Sequence, residues 1–271
     1  MIYPLQQHRI RQAFSRSACR YEQLAGLQMR LGQDLIRRIR PRPYRTMIDI
    51  GMGTGILTNE LKRRWPQAHV VGVDFAPGMV KVARQNYPDL WIIQADATRP
   101  PFRPASFDLV FSNLAYQWVD DLQHTFSRTS AILRPDGRFY VNVFTRDSLK
   151  ELFLALEHSR RAADPRHFTG IRRLPSPQQV MDAVRRAGLN VVEEQRQNIR
   201  VYFHNMMGLL RWLKGIGAQS APRDFFVGKD LLAEAGEYYR TRFTEDQKIY
   251  GSFEVVTFIA KKDGEDKDYH A

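Results

Sequence analysis

The sequence predicts an α/β fold, a mainly parallel sheet of seven strands with helices on both faces. Three observations predict it. Short β-rich runs alternate with stretches of helical periodicity over residues 46–144, and strands separated by helices pair in parallel. The first run ends in a turn carrying Gly51, Gly53 and Gly55 that opens straight into a helical pattern, the context in which such turns bind ligands. The second run ends on an acid, Asp74, at the sheet edge where open α/β folds hold their ligands.

Each element has its own signal. Residues 10–40 carry Tyr21, Leu24, Leu27, Leu31, Leu35 and Ile39 at spacings of three and four, which predicts one helix stopped by Pro41 and Pro43. Strands are expected at 46–50, 69–74, 90–94, 107–112 and 138–144. The helices between them are 56–65, closed by Pro66, then 77–86 and 122–133. Beyond Thr145 the alternation loosens. Helical patterns at 147–161, 178–187, 205–215 and 229–242 accompany two last strands at 190–202 and 252–260. Residues 158–176 and 203–250 are expected lids, since long segments after a binding core often close over it. The division that follows is one structural domain: 1–43 a helical cover, 44–146 the binding core, 147–260 lid and sheet completion, and 261–271 a disordered tail.

Composition excludes several classes. Hydrophobic residues at 43% over 271 residues suffice for a self-sufficient core and exclude wholesale disorder. The single cysteine, Cys19, can form neither an internal disulfide nor a thiolate zinc cluster, and no metal site is expected. No apolar run approaches the roughly 20 residues of a bilayer span, and no apolar segment follows His8, Arg9 and Arg11 as a secretory signal requires. A cytoplasmic protein is the expectation. The net charge of +12 favours a polyanionic partner, yet the basic clusters Arg37-Arg38, Lys62-Arg63-Arg64, Arg160-Arg161, Arg172-Arg173 and Arg185-Arg186 mostly fall on expected helices, where they read as solvated faces. Neither a nucleic acid nor a membrane is the expected partner.

The glycine turn narrows the ligand. Its pattern is G-x-G-x-G, with Ile56 where a dinucleotide fingerprint needs its third glycine, and no G-x-x-x-x-G-K-[ST] cradle is present. The stretch MIDIGMGTGILTNEL resembles the first motif of class I S-adenosylmethionine-dependent methyltransferases, a Rossmann-like family. The resemblance continues through VVGVDFAPGMVKVAR, IIQADATRPPF, FDLVFSNLAYQWVDD and LRPDGRFYV in the family's order. It implies S-adenosylmethionine as cofactor, with Asp49 and Gly51 at its methionine end and Gly53 and Gly55 completing the turn. By the same resemblance Asp74 takes the ribose, Phe75 and Met79 line the adenine site, Asp96 and Ala97 read the adenine edge, and Asn113 closes the pocket.

The acceptor is approached first by exclusion. Ser112-Asn113-Leu114-Ala115-Tyr116 stands where base-amino methyltransferases carry N-P-P-[YF], Cys19 lies outside the core where a cytosine-5 nucleophile would sit, and no carboxylate cluster suggests metal-assisted catechol methylation. Three further segments point elsewhere: Phe14-Ser15-Arg16-Ser17-Ala18-x-x-Tyr21, then Ser112 to Leu122, then Leu210-Arg211-Trp212-Leu213-Lys214-Gly215-Ile216-Gly217-Ala218. Together they resemble the malonyl-acyl-carrier-protein O-methyltransferases of biotin synthesis. That resemblance implies methylation of the free carboxylate of a malonyl thioester, with Tyr21, Gln117 and Trp118 at the reaction. A carboxylate is already ionised and nucleophilic at neutral pH, so no general base is required.

A malonyl carboxylate asks for a cation, and Arg172, Arg173, Arg211 and Lys214 are the candidates in the expected lids. An acidic carrier protein, or coenzyme A, is the implied partner, and Arg211, Lys214 and Arg185-Arg186 are the expected steering rim. His124, His158, His167 and His204 show no metal spacing. Two alternatives stay open at this level: a methyltransferase for a quinone, polyketide or lipid, and a non-catalytic RNA-binding relative using the +12 charge.

Overall fold

A computed structural model describes residues 4–163, 174–218 and 228–263. Its centre is one sheet in the order β3-β2-β1-β4-β5-β8-β6. Strands β1 (Thr46–Ile50), β2 (His69–Asp74), β3 (Trp91–Gln94), β4 (Phe107–Asn113) and β5 (Leu133–Phe144) run parallel. β8 (Lys248–Lys262) is antiparallel to both its neighbours, β5 and β6 (Leu189–Phe203). The seven expected strands form this path, and a two-residue β7 (Thr244–Glu245), which sequence did not signal, pairs with β8.

Parallel strands are buried on both faces, which is why they read as apolar runs. On one face Ile48, Ile50, Val71, Val73, Val110 and Phe139 pack against Phe126 of α5 (Leu122–Ile132) and Val180 and Val184 of α7 (Pro177–Arg186). On the other, Met47, Leu109, Phe111 and Tyr140 meet Leu35, Ile36 and Ile39 at and just beyond α2 (Gly26–Arg37) and Leu57 and Leu61 of α3 (Ile56–Arg64). α4 (Pro77–Asn86) starts on a proline, the residue preorganised for a first turn. Among the described residues, side chains cap three helices: Asp121 on α5, Ser176 with Gln179 as a capping box on α7, and Asn205 on α8 (Met206–Gly215).

Three expectations change. The single N-terminal helix is two, α1 (Pro4–Leu24) and α2, divided at Ala25 with φ −86° and ψ 29° just before Gly26. β5 begins at Leu133 rather than 138, and β8 is longer than 252–260 at both ends. The tail therefore does not start at 261. Lys262 donates to the carbonyls of Ser130 and Leu133 at 2.9 Å each, and Lys261 pairs with Asp136 at 2.7 Å, so both lysines hold the strand end. Residues 264–271 lie outside the described residues.

Helices α6 (Lys150–Ala163), α8 and α9 (Lys229–Arg242) build a second apolar cluster from Leu152, Leu156, Met206, Leu209 and Tyr239. α8 also rests on α1. The Trp212 indole donates to the Leu24 carbonyl at 2.9 Å, and a Cβ on Gly215 would overlap Leu24. Gly217, at φ +77°, has Phe14 and Ser17 against it. The segment 210–218 is thus a joint between two helices, and its glycines let them meet.

Candidate active site

The glycine turn is held against β2 from both sides of its chain. The Gly51 and Met52 amides donate to the Val73 carbonyl at 2.8 and 3.0 Å. Gly51, Gly53 and Gly55 have φ of +79°, +59° and +85°, a region that side-chain-bearing residues rarely enter. The Gly53 amide donates to Asp74 Oδ2 at 2.9 Å and the Ala76 amide to Oδ1 at 2.8 Å. Each carboxylate oxygen thereby keeps a lone pair for a ligand hydroxyl. Burial pushes the Asp74 carboxyl up to about 6, against the pull of those amides.

A cavity opens above this turn. Gly51, Gly53, Val73 and Asp74 form its floor, and Phe75, Met79, Asp96 and Ala97 form one end. Leu114, Ala115, Trp118 and Val119 form the other end, and α1 roofs it with Ile10, Phe14 and Tyr21. The Phe14 ring meets Trp118 edge-on at 5.3 Å and Phe75 at 6.4 Å, so one roof residue touches both ends. Gln7 fastens α1 across the opening by donating to Asp120 Oδ2 at 3.2 Å. The Tyr21 ring lies over Gly53, where a Cβ would stand 3.8 Å from Tyr21 Cε1. Burial, and then the Asp74 charge, raise the Tyr21 hydroxyl well above the ordinary phenol range, so it is a neutral donor. The charged residues on the described walls are Asp74 and Asp96, both acids.

A paired glycine turn and ribose-type acid beneath an apolar roof describe a nucleoside site, and comparison with known proteins carries it further. Residues 48–141 match the family model described as a methyltransferase domain. A malonyl-acyl-carrier-protein O-methyltransferase from Hahella chejuensis is 34% identical over 255 residues, covering 91% of this chain and 88% of that protein. The chain belongs to the malonyl-acyl-carrier-protein O-methyltransferase family. The biotin biosynthesis bifunctional protein BioHC of Cellvibrio japonicus is 31% identical, over 94% of this chain and 50% of that longer protein. Among solved structures, a methyltransferase-like protein from Bacillus halodurans superposes with a TM-score of 0.61 at 17% identity, over 86% of this chain and 98% of that one, which shows the shared fold.

Within this O-methyltransferase, most of the expected site residues converge. Gly51, Gly53, Asp74, Phe75, Met79, Asp96, Ala97, Asn113, Tyr21 and Trp118 all line the one cavity. Asp49 does not. It is 1% exposed beneath the turn, accepts from Thr58 Oγ1 at 2.7 Å, and burial with the nearby Asp74 charge pushes it up to about 7. Gly55 is also off the wall: it is the left-handed cap of α3, with Ala83 and Tyr87 each 3.2 Å from a built Cβ.

Asn113 lines the cavity with both amide atoms bonded away from it. Its Nδ2 donates to the Gln28 carbonyl at 2.9 Å and its Oδ1 accepts from Asn142 Nδ2 at 2.9 Å. Asn142 in turn donates to Leu31 and accepts from Thr257, so a buried polar chain fixes α2 to three strands under the site. Gln117 is 2% exposed and behind the wall, within the 3₁₀ turn Tyr116–Trp118. Its Nε2 donates to the Leu114 carbonyl at 2.6 Å, which holds that residue at φ +57°. Gln117 therefore braces the loop from behind and is not itself on the cavity wall.

The expected cations are not on the described walls. Arg211 and Lys214 are exposed on α8, and Arg211 Nε donates to the Met207 carbonyl at 3.1 Å. Arg172 and Arg173 lie outside the described residues. Arg185 pairs with Asp182 at 3.7 Å beside the edge strand β6, on a different surface. Sequence reading missed Gln7, Ile10, Ala115 and Val119 as wall residues. Ile10 and Phe14 stand one helical turn apart on the face that also carries Tyr21, a periodicity that could have found the roof.

Proposed function

We propose that this chain transfers a methyl group from S-adenosyl-L-methionine to the free carboxylate of malonyl-acyl carrier protein, giving the methyl ester that primes pimelate synthesis for biotin. The near full-length likeness to enzymes named for that reaction carries the proposal. The cavity supports it. Bound S-adenosylmethionine supplies an electrophilic methyl group on a sulfonium. Asp74 has two lone pairs for the ribose hydroxyls, Phe75 and Met79 offer apolar surface to the adenine, and Asp96 offers an acceptor at the same end. Gly51 and Gly53 leave bare backbone for the methionine end.

The acceptor end, Leu114, Ala115, Trp118 and Val119, carries no titratable base. A substrate carboxylate arrives ionised, so no proton has to be removed before it attacks. The remaining work is holding an oxygen in line and excluding water, which the aromatic contacts among Phe14, Phe75 and Trp118 and the α1 roof do. Tyr21, neutral and donating, orients an oxygen beside Asp74. Tyr21→Phe is expected to lower kcat by about 10-fold or more with a melting temperature close to that of the wild type, as for loss of one oriented hydrogen bond. Unchanged kcat would make Tyr21 packing only.

Transfer of labelled methyl from S-adenosylmethionine tests the function, with malonyl-acyl carrier protein, acetyl-acyl carrier protein and a phenolic acceptor compared. A base-labile methyl ester on the malonyl carrier alone is expected. Label on the phenol, or on nothing while the cofactor still binds, would overturn it.

The two raised carboxyls set opposite pH trends. Asp74 at about 6 and Asp49 at about 7 hold protons in the folded chain that the unfolded chain, with Asp near 3.9, has released. Stability of the free protein therefore falls as pH rises from about 4 through about 6 and about 7, and levels about one pH unit higher. Cofactor affinity runs the other way, because the ionised Asp74 accepts both hydroxyls while the protonated one must donate. Melting curves with and without S-adenosylmethionine from pH 5 to 8 should show the ligand-induced shift growing as the free protein weakens; a constant shift would contradict it.

A further inference from the structure

We propose that the outer face of α1, with the adjoining edge of α8, is the docking surface for an acidic carrier protein, whose seating holds the cavity roof closed. The proposal rests on the malonyl-carrier reading above and adds where the carrier binds. α1 carries Arg9, Arg11, Arg16 and Arg20 against one acid, Glu22. Its inner face, Ile10, Phe14 and Tyr21, lines the cavity. At 100° per residue, Arg16 and Arg20 fall on the side away from those three, and both are exposed.

α8 extends this surface. Arg211 and Lys214 are exposed beside Met207, at spacings that place all three along one outer stripe. The contacts of Trp212 and Gly215 with Leu24, and of Gly217 with Ser17, lay α8 along the second half of α1. Arg20 is one turn from Ser17 and one from Leu24, so it belongs to the same junction. None of Arg16, Arg20, Arg211 and Lys214 is ion-paired with a carboxylate among the described residues. Elsewhere Arg38 meets Glu193, Arg134 meets Asp108, Arg196 meets Glu194 and Arg200 meets Glu245.

Like charges gathered across a junction, with Glu22 the one acid on α1, repel one another, and an acidic partner removes that repulsion. Position argues the same way. A carrier seated on α1 is separated from the cavity by one helix thickness, about 10 Å, so its tethered thioester has a short path to the acceptor end. Pressure on this face also bears on the Gln7–Asp120 clasp and the Phe14–Trp118 contact that close the roof. Carrier binding and exclusion of water are then one event.

The test compares the full-length wild type with an Arg16→Glu, Arg20→Glu double variant, on malonyl-acyl carrier protein and on malonyl-pantetheine, which lacks the protein. The expected result is a KM for the carrier raised by roughly tenfold or more at low salt, with kcat and both constants for malonyl-pantetheine unchanged. The neutral Arg16→Gln, Arg20→Gln pair, which adds no repulsion, should move KM in the same direction by less. An unchanged carrier KM in both double variants, or a rise shared by malonyl-pantetheine, would overturn the docking surface while leaving the function in place. Methylation of neither thioester by the wild type would instead remove the function itself. RNA bound more tightly than the carrier by the wild type, and lost in the variant, would reassign the face to nucleic acid and also overturn the proposal.

Discussion

Replacing Asp74 with Asn is expected to weaken S-adenosylmethionine binding by about 10- to 100-fold. The carboxylate links the turn to β2 by accepting from the Gly53 amide at 2.9 Å and the Ala76 amide at 2.8 Å, and it keeps one lone pair on each oxygen for the ribose. Asn has a single acceptor oxygen. Whichever way its amide is turned, an NH2 group faces one of those two backbone donors, and one ribose hydroxyl loses its acceptor. The backbone conflict is present with and without ligand, so affinity loses the ribose bond to a charged acceptor, about 1.5–3 kcal/mol, or about one to two decades in Kd. The stability effects oppose one another, since Asn relieves a buried charge and introduces a donor conflict, so the melting temperature moves far less than the affinity. Titration calorimetry on the folded variant checks this. A Kd within about threefold of the wild-type value would remove Asp74 from the site.

What could be read from sequence divides along a physical line. The strands β1 to β4 and the helix α4 were legible because buried parallel strands become apolar runs and because Pro77 marks a helix start. The glycine turn and Asp74 were legible because a backbone at positive φ and a paired acceptor restrict residue type. Direction was not legible. Asn113 and Gln117 are polar residues in the expected segment, yet one bonds α2 and the other braces Leu114 from behind, and the chain between them turns through a positive φ at Leu114. The break at Ala25 is hidden inside continuous apolar spacing from Leu24 to Leu27. Arg211 and Lys214 were expected at the substrate because their segment resembles a lid. The packing of Trp212 and Gly215 on Leu24 turns that helix so the two cations face outward.

Gly51→Ala should cost both stability and cofactor binding, and the reason lies across the cavity from the nucleoside end. Gly51 sits at φ +79°, which alone strains an alanine by about 1 kcal/mol. A Cβ there would also overlap the Cβ of Ala115, the residue between the strained Leu114 and the 3₁₀ turn that carries Trp118. Neither side yields easily: the turn is fixed by two amides on the Val73 carbonyl, and the opposite loop by Gln117 on the Leu114 carbonyl. Overpacking at such a contact typically costs a further 1–3 kcal/mol, so a total of about 3 kcal/mol and a melting temperature lower by roughly 5–10 °C are expected. Adding Ala115→Gly removes the overlap but not the backbone strain. The double variant should therefore recover about half of the lost stability, a coupling near 1–2 kcal/mol between two residues distant in sequence. Cofactor affinity should recover with it, because the same contact sets the gap between the turn and the acceptor loop. Equal melting temperatures for wild type and Gly51→Ala, with unchanged affinity, would mean that the turn and the Leu114–Ala115 loop do not touch and that the acceptor end is built some other way.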